Sequence, residues 1–222
     1  MDKFVFAPGC ALFLYKPLLV DKLHAYLEAR RGPLAVLSAC CHHTPALDAG
    51  TNVITTCPGC DRRYRQNYRE PRSVSLWELL AGDDLFPFPD YRGRKMTIID
   101  ACPTRDRKRI HDAVRQLAAR MNIVVVEPEK TREKGTCCGD TFYGALPTVE
   151  VIERMRAKGD EMPRDEVLVY CVSCSKSMFV AGKRPRYLVD LLFAQETLPG
   201  TTDPDAWHRE LDAFVESHKG EK

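Results

Sequence analysis

Apolar positions along the chain alternate between short continuous runs and longer stretches at helical spacing. Lys3-Phe-Val-Phe-Ala7 is a short run that Pro8-Gly9 ends directly at Cys10, which predicts a strand delivering a cysteine to a turn. Leu19, Leu23, Tyr26 and Leu27 predict a helix over 12–30, with Pro17 kinking or restarting its first turns and Gly32-Pro33 ending it. Residues 34–37 predict a second strand, running into Cys40-Cys41, and 52–56 a third, ending at Cys57-Pro-Gly-Cys60. A basic helical stretch with Arg62, Arg63, Arg65 and Arg69 follows, then a short helix over 74–80. Residues 82–93, with Pro87 and Pro89 and few periodic apolar positions, read as a linker.

The second half repeats the order. Residues 96–99 predict a strand leading to Cys102, and Thr104 or Asp106 is placed to cap a helix reaching Arg120 with Ile110, Val114 and Leu117 on one face. A strand over 122–126, a loop to Cys137-Cys138-Gly139, a helix over 148–158 and a strand over 167–170 ending at Cys171-Val-Ser-Cys174 complete the series. Tyr187 to Leu192 is the counterpart of Trp77 to Leu80, with Asp190 matching Glu78. The pattern predicts an α/β fold of two pseudo-symmetric strand-helix-strand cysteine-rich repeats, over 1–90 and 91–195, plus a C-terminal helical tail over 196–222. The segment between Cys41 and Cys57 leaves room only for a loop, so the first repeat is the shortened one.

The 222 residues carry a formal net charge of only +2, which supplies no field for nucleic acid or an anionic membrane. No apolar run approaches the roughly 18 residues of a membrane span, and Met1-Asp-Lys-Phe lacks the pattern of a secretory signal. A cytoplasmic location is expected. There, ten cysteines arranged as neighbours and C-x-x-C pairs point to metal ligands or redox groups rather than structural disulfides.

The cysteines fall into two sets with one order, single, adjacent pair, C-x-x-C: Cys10, Cys40, Cys41, Cys57 and Cys60, then Cys102, Cys137, Cys138, Cys171 and Cys174. Thiolates gathered at one point repel one another unless a cation lies between them. Structural zinc takes four ligands, and the common cubane clusters also take four, often from a tight C-x₂-C-x₂-C run that this chain lacks. A more open iron–sulfur cluster uses all five. Spacing alone leaves the metal open.

Cys102, Cys137-Cys138-Gly139 and Cys171-x-x-Cys174, with Phe-Ala-Pro-Gly-Cys10 at the start, resemble the CCG (cysteine-rich) domains of the heterodisulfide reductases. Relatives include iron–sulfur subunits of glycolate and lactate oxidases and of anaerobic glycerol-3-phosphate dehydrogenase. The resemblance spans about residues 4–192 and implies two noncubane [4Fe-4S] clusters, one on each cysteine set, with a disulfide cleaved between them and one sulfur going to each. Cys102, Cys137, Cys138, Cys171 and Cys174 would then be catalytic through their cluster. It further implies a small disulfide or thiol substrate and an iron–sulfur or flavin partner protein that donates electrons. The first set departs from the pattern: Cys40-Cys41-His42-His43 has histidine where the family has glycine.

Other residues are candidates on chemistry alone. His42 and His43 could ligate a metal or protonate a leaving thiolate. Arg105, Arg107, Lys108 and Arg109 after Cys102, and Arg62, Arg63 and Arg65 after Cys60, read first as solvated helix faces and second as anion contacts. Asp140 and Tyr143 are near enough in sequence to exchange a proton, and Trp77 reads as core. The function classes in play are a disulfide or thiol reductase subunit, an electron-transfer subunit without its own substrate site, and a zinc-stabilised scaffold.

Overall fold

Strands form where the apolar runs are shortest. In the computed structural model, which describes residues 3–38, 47–68 and 72–218, β1 (Lys3–Ala7) leads to α1 (Cys10–Tyr15), α2 (Pro17–Arg31), β2 (Ala35–Val36) and β3 (Thr51–Thr55). Then come α3 (Pro58–Asn67), β4 (Arg72–Ser75) and α4 (Leu76–Ala81). The second round is β5 (Arg94–Ile98), α5 (Lys108–Arg120), β6 (Ile123–Val126), α6 (Thr148–Asp160) and β7 (Glu166–Val169). It ends with α7 (Val172–Val180), β8 (Arg184–Tyr187) and α8 (Leu188–Leu192), and α9 (Pro204–Ser217) follows.

Among the described residues the strands make two parallel sheets of four, ordered β2-β1-β3-β4 and β6-β5-β7-β8. Counted within each half, both orders are 2-1-3-4. The fold is therefore α/β, built from two repeats of one topology with a C-terminal helix. The chain divides into two compact units, Met1–Leu76 with His208–Lys222, and Trp77–Trp207.

The central strands of each sheet end level. β1 pairs with β3 from Lys3↔Thr51 to Ala7↔Thr55, and β5 with β7 at Thr97↔Val167 and Ile98↔Leu168. Val5, Ala7, Val53, Cys60 and Tyr64 form one buried cluster of the first unit, and α2 adds Leu19, Val20, Leu23 and Leu27. In the second unit α5 buries Ile110, Val114 and Leu117, each worth roughly 2 kcal/mol when removed from water.

Three local expectations change, while Pro17 restarts the helix rather than kinking it: Lys16 is extended and Pro17 takes the first position of α2, where its missing N–H costs nothing. Each sheet has a fourth strand, β4 and β8, where the apolar pattern predicted only a helix. Both are edge strands, short and polar, and β8 contains Pro185, which an edge tolerates. Neither Thr104 nor Asp106 caps α5, because Arg107 holds the cap position and the Thr104 hydroxyl is engaged elsewhere. Residues 82–93 are irregular, as the prolines predict, but they pack within the second unit: Phe86 is buried with its ring 5.9 Å from that of Phe193, and the Tyr91 hydroxyl donates to Leu191 O over 2.9 Å. No helix among the described residues is long and apolar enough to cross a membrane.

Candidate metal centre

Open parallel sheets carry their sites at the carboxyl ends of the strands, where connections leave the two central strands in opposite directions. Here those strands are β5 and β7, followed within four residues by Cys102 and Cys171, while Cys137 and Cys138 follow β6, which pairs with β5. In the first sheet Cys10 and Cys57 follow β1 and β3 in the same way.

The second set comes together. Neighbouring thiols of the second set act on one another, Cys102 with Cys137, Cys137 with Cys138, Cys138 with Cys174 and Cys174 with Cys171. Their interaction holds the Cys137 thiol far below its ordinary range and pushes Cys102, Cys138 and Cys174 up, since neighbouring thiols cannot all ionise. Burial raises the same three further. Three more groups touch the sulfurs: Thr141 Oγ1 lies 3.6 Å from Cys102 Sγ, Ser177 Oγ donates to Cys138 Sγ over 3.4 Å, and the Gly139 amide donates to Cys137 Sγ over 3.4 Å. Thr141 and Ser177 carry no sequence signal, because only the tertiary fold brings them to the thiols.

Among the described residues, no three His, Cys, Asp or Glu side chains are gathered to hold a single metal ion. Every described cysteine lies outside any disulfide.

Gly139 has φ of 107°, and a Cβ there would lie 2.7 Å from Met155 Cγ and 2.8 Å from Met155 N. Glycine at this position thus lets the chain turn sharply after Cys138 and pack on α6. On the other side, Lys158 Nζ donates to Thr136 Oγ1 over 2.9 Å and to Glu161 over 2.8 Å, fixing the approach to Cys137.

A buried polar network underlies Cys102 and Cys171. The Thr104 hydroxyl shares hydrogen bonds with Tyr170 OH at 2.8 Å and His111 Nε2 at 3.2 Å, and the Ala101 amide donates to Tyr170 OH over 3.0 Å. Asp100 accepts two 2.8 Å bonds from Arg115, and Thr131 Oγ1 and the Arg132 amide also donate to it. Burial raises the Asp100 carboxyl, but Arg115 outweighs burial with its neighbours and the net is a fall to about 2. Burial pushes Tyr170 up and His111 down, so both are held neutral near pH 7.

In the first set, Gly9 (φ 87°) sets the Cys10 turn against the C-x-x-C pair, since a Cβ there would lie 3.0 Å from Cys57 Cβ and 3.4 Å from Cys60 Sγ. Thr56 Oγ1 donates to Pro8 O and ties the ends of β3 and β1 together. Cys57 is at the cap position of α3, and a hydrogen bond from Cys60 outweighs burial to bring it down to about 7. Cys40, Cys41, His42 and His43 lie outside the described residues.

Three of the seven described basic candidates are engaged. Arg65 pairs with buried Asp61 at 3.0 Å, Arg107 with Glu78 at 3.1 Å, and Arg105 Nε donates to Gly135 O over 2.8 Å. Arg62, Arg63, Lys108 and Arg109 are exposed. Asp140 and Tyr143 flank a tight turn in which the Tyr143 amide donates to Asp140 O over 3.0 Å, and the Asp140 charge adds to the upward push on Cys138. Trp77 is core, edge-on to Tyr170 at 6.4 Å.

Fold and site together define an α/β protein of two like repeats that present thiols at the carboxyl ends of their central strands. No protein-family model matches the chain, and no curated protein is similar to it. Among solved structures, the aspartate racemase of Picrophilus torridus is similar at 11% identity over 86% of this chain and 99% of that one, with a TM-score of 0.30. A likeness at that level carries no argument about fold or function.

Proposed function

We propose that the chain is an iron–sulfur oxidoreductase subunit that holds two noncubane [4Fe-4S] clusters and reduces a small disulfide with electrons from a partner protein. The reading rests on the linked thiols of Cys102, Cys137, Cys138, Cys174 and Cys171 at the ends of β5, β6 and β7. When bound, the clusters would supply the two electrons and the thiophilic iron that cleaving one S–S bond into two thiols requires, with two protons taken up. The residues of the chain would hold and tune the sulfurs: Ser177, Thr141 and the Gly139 amide at the thiols, and Thr104, Tyr170 and Asp100 beneath the turns that carry them. The first set, with Cys10, Cys40, Cys41, Cys57 and Cys60, would hold the second cluster. The partner would carry ordinary iron–sulfur clusters or a flavin, and the compartment would be the cytoplasm.

The test is iron, acid-labile sulfide and zinc per chain after purification without oxygen. About eight irons with matching sulfide are expected, followed by disulfide reduction with a strong reductant. Zinc without sulfide, persisting after iron reconstitution, would establish a scaffold instead, and full clusters without disulfide reduction would leave an electron-transfer subunit.

A further inference from the structure

At the opposite edge of the second sheet, where its strands begin, a groove of about 420 Å³ is bordered by β5, β7, β8 and the segment after α8. Arg94 and Glu166 are the first residues of β5 and β7, so the groove lies a strand length, roughly 15 Å, from the cysteine turns. Its volume falls in the range of small-molecule sites.

Its charges do not balance. Arg94, Lys183, Arg184 and Arg186 line it with Glu166 and Glu196, and Lys183 also faces Asp165 at 3.8 Å, which leaves an excess of one cation. Buried Glu166 is already engaged by Arg94, with Nε to Oε2 at 2.5 Å and Nη2 to Oε1, so Arg186 is left 4.0 Å from the same carboxylate. Two guanidiniums thus share one carboxylate. Arg186 Nε is buried and has no hydrogen-bond partner among the described residues. That Nε is closed to the groove, so an anion there meets the terminal nitrogens of Arg186, of which Nη1 stands 4.0 Å from the carboxylate that Arg94 already holds.

The remaining walls are apolar and fixed. Pro185 is buried, while Phe179 and Leu198 stand 51% and 59% exposed at the rim. Thr197 Oγ1 accepts from the Tyr187 amide over 2.8 Å and donates to Asp190 over 3.0 Å, and Lys176 Nζ donates to Pro199 O and Thr201 O over 2.7 and 2.6 Å. The wall is held before any ligand arrives, which lowers the ordering cost of binding.

We propose that this groove binds a small organic carboxylate, its head on Arg186 and its apolar body between Phe179, Pro185 and Leu198. The inference is independent of the thiol chemistry, so iron content has no bearing on it. The test is calorimetric titration of the full chain with benzoate, hexanoate, the neutral ester methyl benzoate and inorganic phosphate. Saturable binding of the two carboxylates, none of the ester, and at least about a tenfold loss in Arg186→Met are expected. Leu198→Asp places a carboxylate on an exposed rim position without disturbing the core, and a comparable loss is expected there. No saturable carboxylate binding below about 10 mM, or unchanged binding in both variants, would overturn the proposal. Phosphate binding as tightly as benzoate would overturn the apolar half of it.

Discussion

Tyr170 and Thr104 share a hydrogen bond of 2.8 Å that joins the end of β7 to the turn after β5. Each lies next to a cysteine of the second set, Tyr170 directly before Cys171 and Thr104 two residues after Cys102. The phenol also accepts from the Ala101 amide, so one side chain fixes the backbone on which two thiols are mounted. Tyr170→Phe keeps the ring and orphans that buried amide. The expected cost is roughly 1–3 kcal/mol, or a fall in Tm of roughly 3–10 °C for a protein of this size. Thermal unfolding of the metal-free variant beside the wild type measures it, and an unchanged Tm would show that the turn is held by other contacts.

Gly139 and Gly144 both have positive φ, at 107° and 79°, but only Gly139 is crowded by another element. A methyl at Gly144 meets nothing within 4 Å, whereas at Gly139 it runs into the Met155 backbone. Gly144→Ala should therefore cost only the backbone strain, about 1 kcal/mol, and Gly139→Ala about 2–4 kcal/mol, since α6 must move. Urea midpoints of the two variants give the comparison. Equal losses would mean that α6 adapts without strain.

The architecture was legible in the sequence where burial and periodicity coincide. β1, β3, β5 and β7 are central strands, covered on both faces, and their apolar runs mark them directly. β4 and β8 were not legible because edge strands need few apolar residues: Arg-Ser-Val-Ser has one, and Arg-Pro-Arg-Tyr alternates only through a proline, which argues against a strand. The need for glycine after Cys138 was legible too, and the structure shows its close neighbour to be Met155 of α6. Ser177 and Thr141 were hidden because their contacts with Cys138 and Cys102 join positions 39 residues apart.

Acid should weaken the second unit through Asp100. Its carboxyl falls from an ordinary 3.8 to about 2 in the folded state, the pull of Arg115 outweighing burial. A depressed carboxyl contributes stability that is complete above its unfolded value, near pH 4, and is lost as the pH falls toward 2. The shift corresponds to roughly 2 kcal/mol. Asp100→Asn should be less stable than the wild type at pH 7, and the gap should narrow by about that amount between pH 4 and pH 2. Urea unfolding at several pH values reads the difference, and a gap independent of pH would assign the loss to packing.

Ser177 donates to Cys138 Sγ over 3.4 Å. Hydrogen bonds to ligand sulfurs favour the more negative, reduced state of an iron–sulfur cluster. If the second set holds one, Ser177→Ala should lower its reduction potential while leaving iron and sulfide content unchanged, and Ser177→Thr should restore much of the shift. Potentiometric titration of the reconstituted protein measures this. A loss of iron with no change in the potential of what remains would make Ser177 a packing residue.

The two cysteine sets belong to separate sheets of like topology, each with its own central strands, turns and glycine, Gly9 in the first and Gly139 in the second. If each set holds its own cluster, loading should be independent. Cys137→Ser, which removes one thiol of the second set, should halve the iron from about eight to about four per chain. Cys57→Ser should do the same from the other side, and the double variant should hold almost none. Losing all the iron from either single substitution would mean that one site, fed by both sets, has replaced two. An unchanged content after Cys137→Ser would remove that thiol from the ligand set, and with it the reading that all five sulfurs are used.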